Sequence, residues 1–315
     1  MRRDRVVIGM DERHFENGTL LHCSCEHLAE LPPDEIALTV TSPPYWNAID
    51  YEQHSKDPSQ WYRTRDGGPY EGYLDEMQGA FEAVLRVTKP SGFCAIIIGT
   101  VLHEGKHYPV PSDVTSRLQQ IGWEFHQDIT WNKVTGGVKR ARVTIQHPYP
   151  GYYYPNIMTE SILVFRKPGE QPIYRNRSKE EQAANQIEID DVFKRDIANN
   201  VWHIAPIPPN QAVHPCAFPE EIPYRLITLY SYRGDTVLDP YMGAGTTPKV
   251  ANALGRKFIG YEISERYFSI CCQRIGDPLQ LRKLQLVAKF DKIPHANHLP
   301  DQAELFSIDE TKKGT

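Results

Sequence analysis

Two blocks of residues carry chemistry, and most of the chain lies between them. The first is Thr41-Ser42-Pro43-Pro44-Tyr45-Trp46, directly after the apolar run 36–40. Prolines lack N–H donors and stiffen the backbone, so they cannot extend a sheet ladder. They hold the Ser42 hydroxyl, the local carbonyls and the Tyr45 ring in fixed relative positions at the end of a strand. In an α/β sheet that end is where ligands bind. A rigid carbonyl beside a ring face suits a flat substrate carrying an amine, which points to chemistry on a nucleobase.

The second block runs Asp239-Pro240-Tyr241-Met242-Gly243-Ala244-Gly245-Thr246-Thr247. Glycines at a strand-to-helix turn allow close approach of a ligand to backbone N–H groups at a helix N-terminus. Asp239 sits at the strand tip, where a carboxylate could face an ammonium group. Glu262 ends the next strand, 23 positions on, where an acid can accept both hydroxyls of a ribose. The full G-x-G-x-x-G fingerprint is absent, which argues against a nicotinamide-dependent oxidoreductase. No lysine follows the glycines, so the turn is not a P-loop.

The elements that must position these blocks follow from hydrophobic patterning. The pattern predicts strands at 19–23, 36–41, 93–98, 125–131, 161–165, 235–239 and 258–262. Apolar positions Leu74, Met77, Phe81, Val84 and Leu85 predict a helix over 73–87, stopped by Lys89-Pro90-Ser91-Gly92. Asp113 is expected to cap a helix ending at Ile121, with Gly122 at C′. Further helices are expected from 221 to 232, from the glycine turn to about 254, and from a Ser264 cap to 275. A short helical stretch is expected at 25–31. The βαβ rhythm gives an α/β fold: a doubly wound, mostly parallel, Rossmann-like sheet. The stretches 132–160 and 167–215 lose periodicity and are too long for ordinary connections, so they read as functional inserts. The chain divides into an N-terminal catalytic half (1–132), mainly inserted segments around a strand at 160–166 (133–215), a C-terminal catalytic half (216–276) and a tail (277–315). One amphipathic helix is expected in that tail, at 279–290.

The chain has 315 residues, 40% hydrophobic and 24% charged, with net charge −5. That balance argues against wholesale coating of nucleic acid but leaves room for a local basic groove. No apolar run approaches the ~20 residues needed to span a bilayer, and the start has no signal-peptide core, so a cytoplasmic protein is expected. Cys23, Cys25, Cys94, Cys216, Cys271 and Cys272 form no C-x-x-C pair. They are expected to be reduced, with no metal site.

Taken together, the two blocks resemble the DNA amino-methyltransferases that use S-adenosylmethionine. With S-P-P-Y preceding D-P-Y-M-G-A-G-T-T, the chain resembles their permuted beta class over roughly 20–275. The segment 86–92 is similar to the helix-to-strand corner of these enzymes, and Trp131-Asn132-Lys133 to one of their strand ends. His214-Pro215 and Phe218-Pro219-Glu220 resemble the segment lining the methionine end of the cofactor. Phe218 stands where the family usually has lysine. Ser24 lies near a strand tip where the family often has an acid beside the adenine; as a helix cap it would be equally at home.

The resemblance implies S-adenosylmethionine as cofactor, S-adenosylhomocysteine as product and double-stranded DNA as partner. A cognate restriction endonuclease acting separately, a bacterial, archaeal or phage setting, and a monomer or homodimer go with it. Asp239, Pro240, Gly243, Gly245, Thr246, Glu262, Phe218, Pro219 and Ser24 are the implied cofactor residues, with Thr247 in support. Ser42, Pro43, Pro44 and Tyr45 are the implied catalytic residues. S-P-P-Y is typical of methylation at cytosine N4, and D-P-P-Y of adenine N6. Ser42 therefore selects the cytosine amine, with adenine N6 on DNA or RNA, or a non-catalytic DNA-binding relative, as alternatives. The Ser42 hydroxyl and Pro43 carbonyl would orient the amine for direct attack, Tyr45 would stack on the extruded base, and no cysteine nucleophile is required. Lys133, Lys139, Arg140 and Arg142, followed by Tyr149, Tyr152, Tyr153 and Tyr154, suit phosphate binding and base stacking. The segment 175–195, of mixed sign, reads as a solvated helix pair. The loop 51–70, with Trp61, Arg63 and Arg65, is placed to fold over the flipped base.

Overall fold

The computed structural model describes residues 11–46, 68–103, 106–133, 150, 157–207 and 217–281. In chain order the elements are β1 (Asp11–Phe15), β2 (Gly18–His22), β3 (Ile36–Thr41), α1 (Tyr70–Val87), β4 (Thr88–Ile98), β5 (Val101–His103), β6 (Lys106–Tyr108), α2 (Val110–Gln120) and β7 (Glu124–Asn132). They continue with β8 (Thr159–Arg166), α3 (Lys179–Ala184), β9 (Val201–His203), α4 (Glu221–Tyr230), β10 (Thr236–Asp239), α5 (Thr246–Ala253), β11 (Lys257–Tyr261) and α6 (Glu265–Arg274).

Nine of these strands form one sheet in the order β1-β2-β11-β10-β3-β4-β8-β7-β9, with β5 and β6 a separate hairpin. The run β2-β11-β10-β3-β4 is parallel throughout. Within the sheet, β1 and β8 oppose the common direction. The doubly wound, mostly parallel α/β sheet expected from the sequence is the architecture observed.

Burial on both faces explains why the central strands lack polar alternation. Along β4, Cys94, Ile96 and Ile98 face one layer while Ala95 and Ile97 face the other. On the first face lie Leu74, Met77, Phe81 and Val84 of α1 with Val114 and Leu118 of α2. On the second, Ile222 and Leu226 of α4, Val250 of α5 and Phe268 of α6 pack against Leu38, Val40 and Val237. This period-2 division is what a two-layered cover requires.

Several local expectations need correction. Helix α1 begins at Tyr70, three residues early, and its Tyr70 hydroxyl donates to Asp113 Oδ2 at 2.7 Å. Asp113 is thereby an acceptor inside the first turn of α2, not its cap; that helix starts at Val110 with proline in its first turn. The stretch 88–92 does not separate helix from strand but joins β4 as an irregular start, with a register shift between Ile36 and Leu38 and Ser91 at φ 64°. Ser264 occupies the N-cap of α6 without a side-chain capping bond. Neither β1, an exposed edge strand, nor β9, three residues long, has a periodic sequence signature. Trp202 anchors β9, buried in the sheet's core.

Segment 175–195 contains α3, exposed and closed by a Ser178–Glu181 capping box. The five described cysteines are free thiols. Among the described residues no helix is long and apolar enough to cross a membrane. The expected tail helix lies almost wholly outside the described residues.

Candidate active site

Since β10 lies between β3 and β11, the tips carrying Thr41, Asp239 and Tyr261 stand side by side on the ligand edge of the sheet. The Thr41 hydroxyl donates to Asp239 Oδ1 at 2.7 Å, and the Tyr241 N–H donates to the same oxygen at 3.1 Å. Thr247, in the first turn of α5, donates through its hydroxyl to the Val40 carbonyl at 3.2 Å. Both chemistry-bearing blocks are thus fastened together. Asp239 is buried, and burial pushes its carboxyl up to about 6 against the opposing hydrogen bonds from Thr41, Tyr241 and Thr247. Removing a carboxylate from water disfavours its charged form.

The glycine turn is tied to the next tip. Gly243 donates its N–H to Glu262 Oε2 at 2.9 Å, and Ser264 donates its N–H to Oε1 at 2.8 Å. A carboxylate oxygen accepts more than one hydrogen bond, so these ties are compatible with ligand hydroxyls at the same group. Gly245 opens α5 at φ +79°, and a Cβ built there would lie 2.0 Å from Cys271 Sγ. The turn therefore needs glycine both for its backbone conformation and for the approach of α6. Two buried carboxylates at adjacent tips, beside a glycine turn that opens a helix, form an acceptor set suited to a ligand with one ammonium and vicinal hydroxyls.

Phe218, Pro219 and Glu220 precede α4 and are buried. Glu220 pairs with Lys249 of α5 at 2.6 Å and with Arg274 of α6 at 3.6 Å, and accepts the Gln280 N–H at 2.7 Å. A buried lysine thus reaches this segment from α5, although position 218 itself is apolar. Thr246 is buried in the first turn of α5. Ser24 accepts the Glu26 N–H at 3.3 Å, the capping role, at the start of a short 3-10 stretch, Cys25–Glu30.

Ser42 to Tyr45 leave the tip of β3, with Pro43 buried and Ser42, Pro44 and Tyr45 half-buried. Trp46 closes the segment. Its ring packs against Tyr70 at 4.8 Å and Tyr108 at 4.3 Å, and its indole N–H donates to the Gly68 carbonyl at 3.2 Å. The tetrapeptide is therefore held at both ends, by Thr41 in the sheet and by an aromatic cluster beyond. The Tyr45 hydroxyl donates to Glu160 Oε2 at 2.9 Å.

Lys133, expected to reach DNA phosphate, is 9% exposed and is instead paired with Glu160, its ammonium 4.8 Å above the Trp131 ring. Lys139, Arg140, Arg142 and the tyrosines at 149 and 152–154 lie outside the described residues. So do His214, Pro215 and the loop 51–67. Two residues of this site carry no motif signal: Glu160, whose relation to Tyr45 only the fold reveals, and Lys249. Thr41 opens the first block, but nothing there marks its tie to Asp239.

Residues 36–273 match the family described as DNA methylase (N6_N4_Mtase). The Type II methyltransferase M.MthZI of Methanothermobacter thermautotrophicus is 30% identical over 266 residues, covering 80% of this chain and 74% of that protein. TTHA0409 of Thermus thermophilus, solved in complex with S-adenosyl-L-methionine, is 27% identical, with a TM-score of 0.64, covering 83% of this chain and 93% of the other. The fold is also that of the cytosine-N4-specific PvuII DNA methyltransferase, at 18% identity and a TM-score of 0.60, over 88% and 92% of the two chains.

Proposed function

This chain belongs to the N6/N4 DNA methylase family, and we propose that within it the protein methylates the exocyclic N4 amine of cytosine in double-stranded DNA. The DNA methyltransferase activity and its dependence on S-adenosylmethionine come with the family. The cytosine assignment is carried by Ser42 at the head of the S-P-P-Y segment.

S-adenosylmethionine, when bound, supplies an electrophilic methyl group on a sulfonium. Asp239 would hold the ammonium of that ligand and Glu262 its ribose hydroxyls, while Gly243 and Gly245 would let the backbone approach. An exocyclic amine is a poor nucleophile, because its lone pair is delocalised into the ring. Ser42 Oγ and the Pro43 carbonyl accept hydrogen bonds from its two N–H groups. These contacts strengthen as nitrogen becomes tetrahedral, so they favour the transition state over the ground state. The amine must leave the base stack to be reached, and the Tyr45 ring provides the face on which the extruded base rests. A Type II setting, with a separate endonuclease cutting the unmethylated sequence, accords with the names of the relatives.

Incubating purified protein with unmethylated DNA and S-adenosylmethionine, then digesting to nucleosides for mass spectrometry, tests the assignment. N4-methylcytosine is expected. N6-methyladenine alone would overturn the assignment to cytosine.

A further inference from the structure

We infer that Glu160, charge-balanced by Lys133, is a positioning residue that fixes the tilt of the Tyr45 ring against the flipped base. The inference rests on the function proposed above; it adds Glu160, which no motif of the chain announces, and gives Lys133 a role other than phosphate binding.

Stacking works only if the aromatic plane is held, and Tyr45 follows two prolines on a segment outside the sheet. A tyrosine has one polar handle, at the far end of its ring. Here that handle donates to Glu160 Oε2 at 2.9 Å, across 115 positions of sequence. Glu160 lies at the beginning of β8, opposite Trp131 of β7. Because β8 runs against its neighbours, its first residues reach the same edge as the tips of β3, β4 and β7. Gly99, just past β4, leaves room for it: a Cβ at 99 would lie 3.2 Å from Glu160 Cγ.

The other oxygen, Oε1, accepts from the Lys133 ammonium. Side-chain exposure is 12% for Glu160 and 11% for Lys133. A carboxylate so withdrawn from water is unfavourable without a cation. Lys133 is fixed in turn. Its N–H donates to the Met158 carbonyl at 2.9 Å, and its ammonium lies 4.8 Å over Trp131, whose indole donates to the Ile204 carbonyl at 2.8 Å. An ionised carboxylate can only accept, so the pair fixes both the direction of the Tyr45 hydroxyl and the place of its ring.

Methyl transfer to unmethylated DNA is measured for Tyr45→Phe, for Glu160→Gln and for the double variant. Tyr45→Phe keeps the ring and loses the handle. Glu160→Gln leaves one carbonyl oxygen for two donors. Each single change is expected to lower kcat about tenfold, the scale of one hydrogen bond to a charged group. The double variant is expected to fall no further than Tyr45→Phe, since both changes remove the same contact. Affinity for S-adenosylhomocysteine, by calorimetry, should stay within about twofold, because the contact does not touch the cofactor residues.

Unchanged kcat in Tyr45→Phe, or multiplying losses in the double variant, would overturn the inference. If Glu160→Gln does not fold, Tyr45→Phe, which removes a single hydroxyl, decides alone. Ser42→Ala combined with Tyr45→Ala separates the two readings. Full activity there overturns the catalytic site itself. An inactive double alanine variant beside a fully active Tyr45→Phe overturns only the positioning role.

Discussion

Thr41 and Asp239, 198 positions apart, share a 2.7 Å hydrogen bond in which both groups are buried. It joins the strand that leads into the S-P-P-Y segment to the strand that leads into the glycine turn. The distance between nucleophile and methyl group must hold to a fraction of an ångström for in-line transfer. A direct tether between the two strand tips is an economical way to hold it.

Asp239 gives the site a pH dependence. Its folded pKa, raised to about 6, lies above the unfolded value of 3.8. Its contribution to stability of the ligand-free protein is therefore fully present below pH ~4 and is lost as pH rises through about 6. Binding of an ammonium-bearing ligand has the opposite sign, because it requires the ionised form. Calorimetric affinity for S-adenosylhomocysteine should weaken about tenfold between roughly pH 7 and pH 5. In Asp239→Asn it should be weak and flat across that range.

Thr41→Val keeps shape and removes the donor. It leaves Asp239 with fewer partners at full burial, so folding stability should drop by about 1–3 kcal/mol. The midpoint of the pH-dependent affinity should move upward from about 6. Denaturant titration and the same calorimetric series measure the two effects.

Gly245→Ala combines a positive φ with a Cβ that meets Cys271 Sγ at 2.0 Å. A stability loss of about 2–4 kcal/mol is expected from overpacking and the left-handed backbone together. Adding Cys271→Ala should recover only part of the loss in thermal unfolding, since it removes Sγ but leaves the Cys271 Cβ 2.8 Å and Cα 3.2 Å from the added carbon.

Arg225 is buried between Asp196 and Glu221, over the Trp202 ring, and Asp196 also accepts from the His203 N–H at 3.1 Å. Removing one partner from such a network leaves an uncompensated buried charge. Arg225→Ala should cost about 3–5 kcal/mol in denaturant unfolding. Asp196→Ala should also detach β9, seen as earlier amide exchange at 201–203.

Much of this was legible in the sequence, because parallel strands covered on both faces appear as uninterrupted apolar runs. Residues 93–98 do so without a break, 36–41 with threonine as the interruption, and 236–239 around Val237-Leu238. The tips bearing Ser42 and Asp239 were legible because proline follows each at once, and Glu262 because it is the acid that closes the apolar stretch 258–261. Lys133 was misleading. Its basic neighbours suggest an exposed cluster, yet strand register brings Glu160 to it and takes it out of water. Glu160 precedes its strand's apolar run with no distinctive neighbour, and Thr41 is one more β-branched residue in a buried strand. Their roles arise from pairing between distant segments, which period and composition do not encode. The edges escaped for another reason: β1 is mostly exposed and β9 too short to show a period.

Strands β2 and β3 follow one another in the chain but are separated in the sheet by β11 and β10. During synthesis the growing chain therefore reaches residue 230 with two unpaired edges facing a space two strands wide. Only residues 236–261 fill it, and they bring the Asp239 tip and the glycine turn. Pairing across such separations is slow, and open edges invite association between nascent chains. A polypeptide stopped before residue 236 therefore carries the S-P-P-Y segment but lacks the two strands that join the halves of the sheet beneath it.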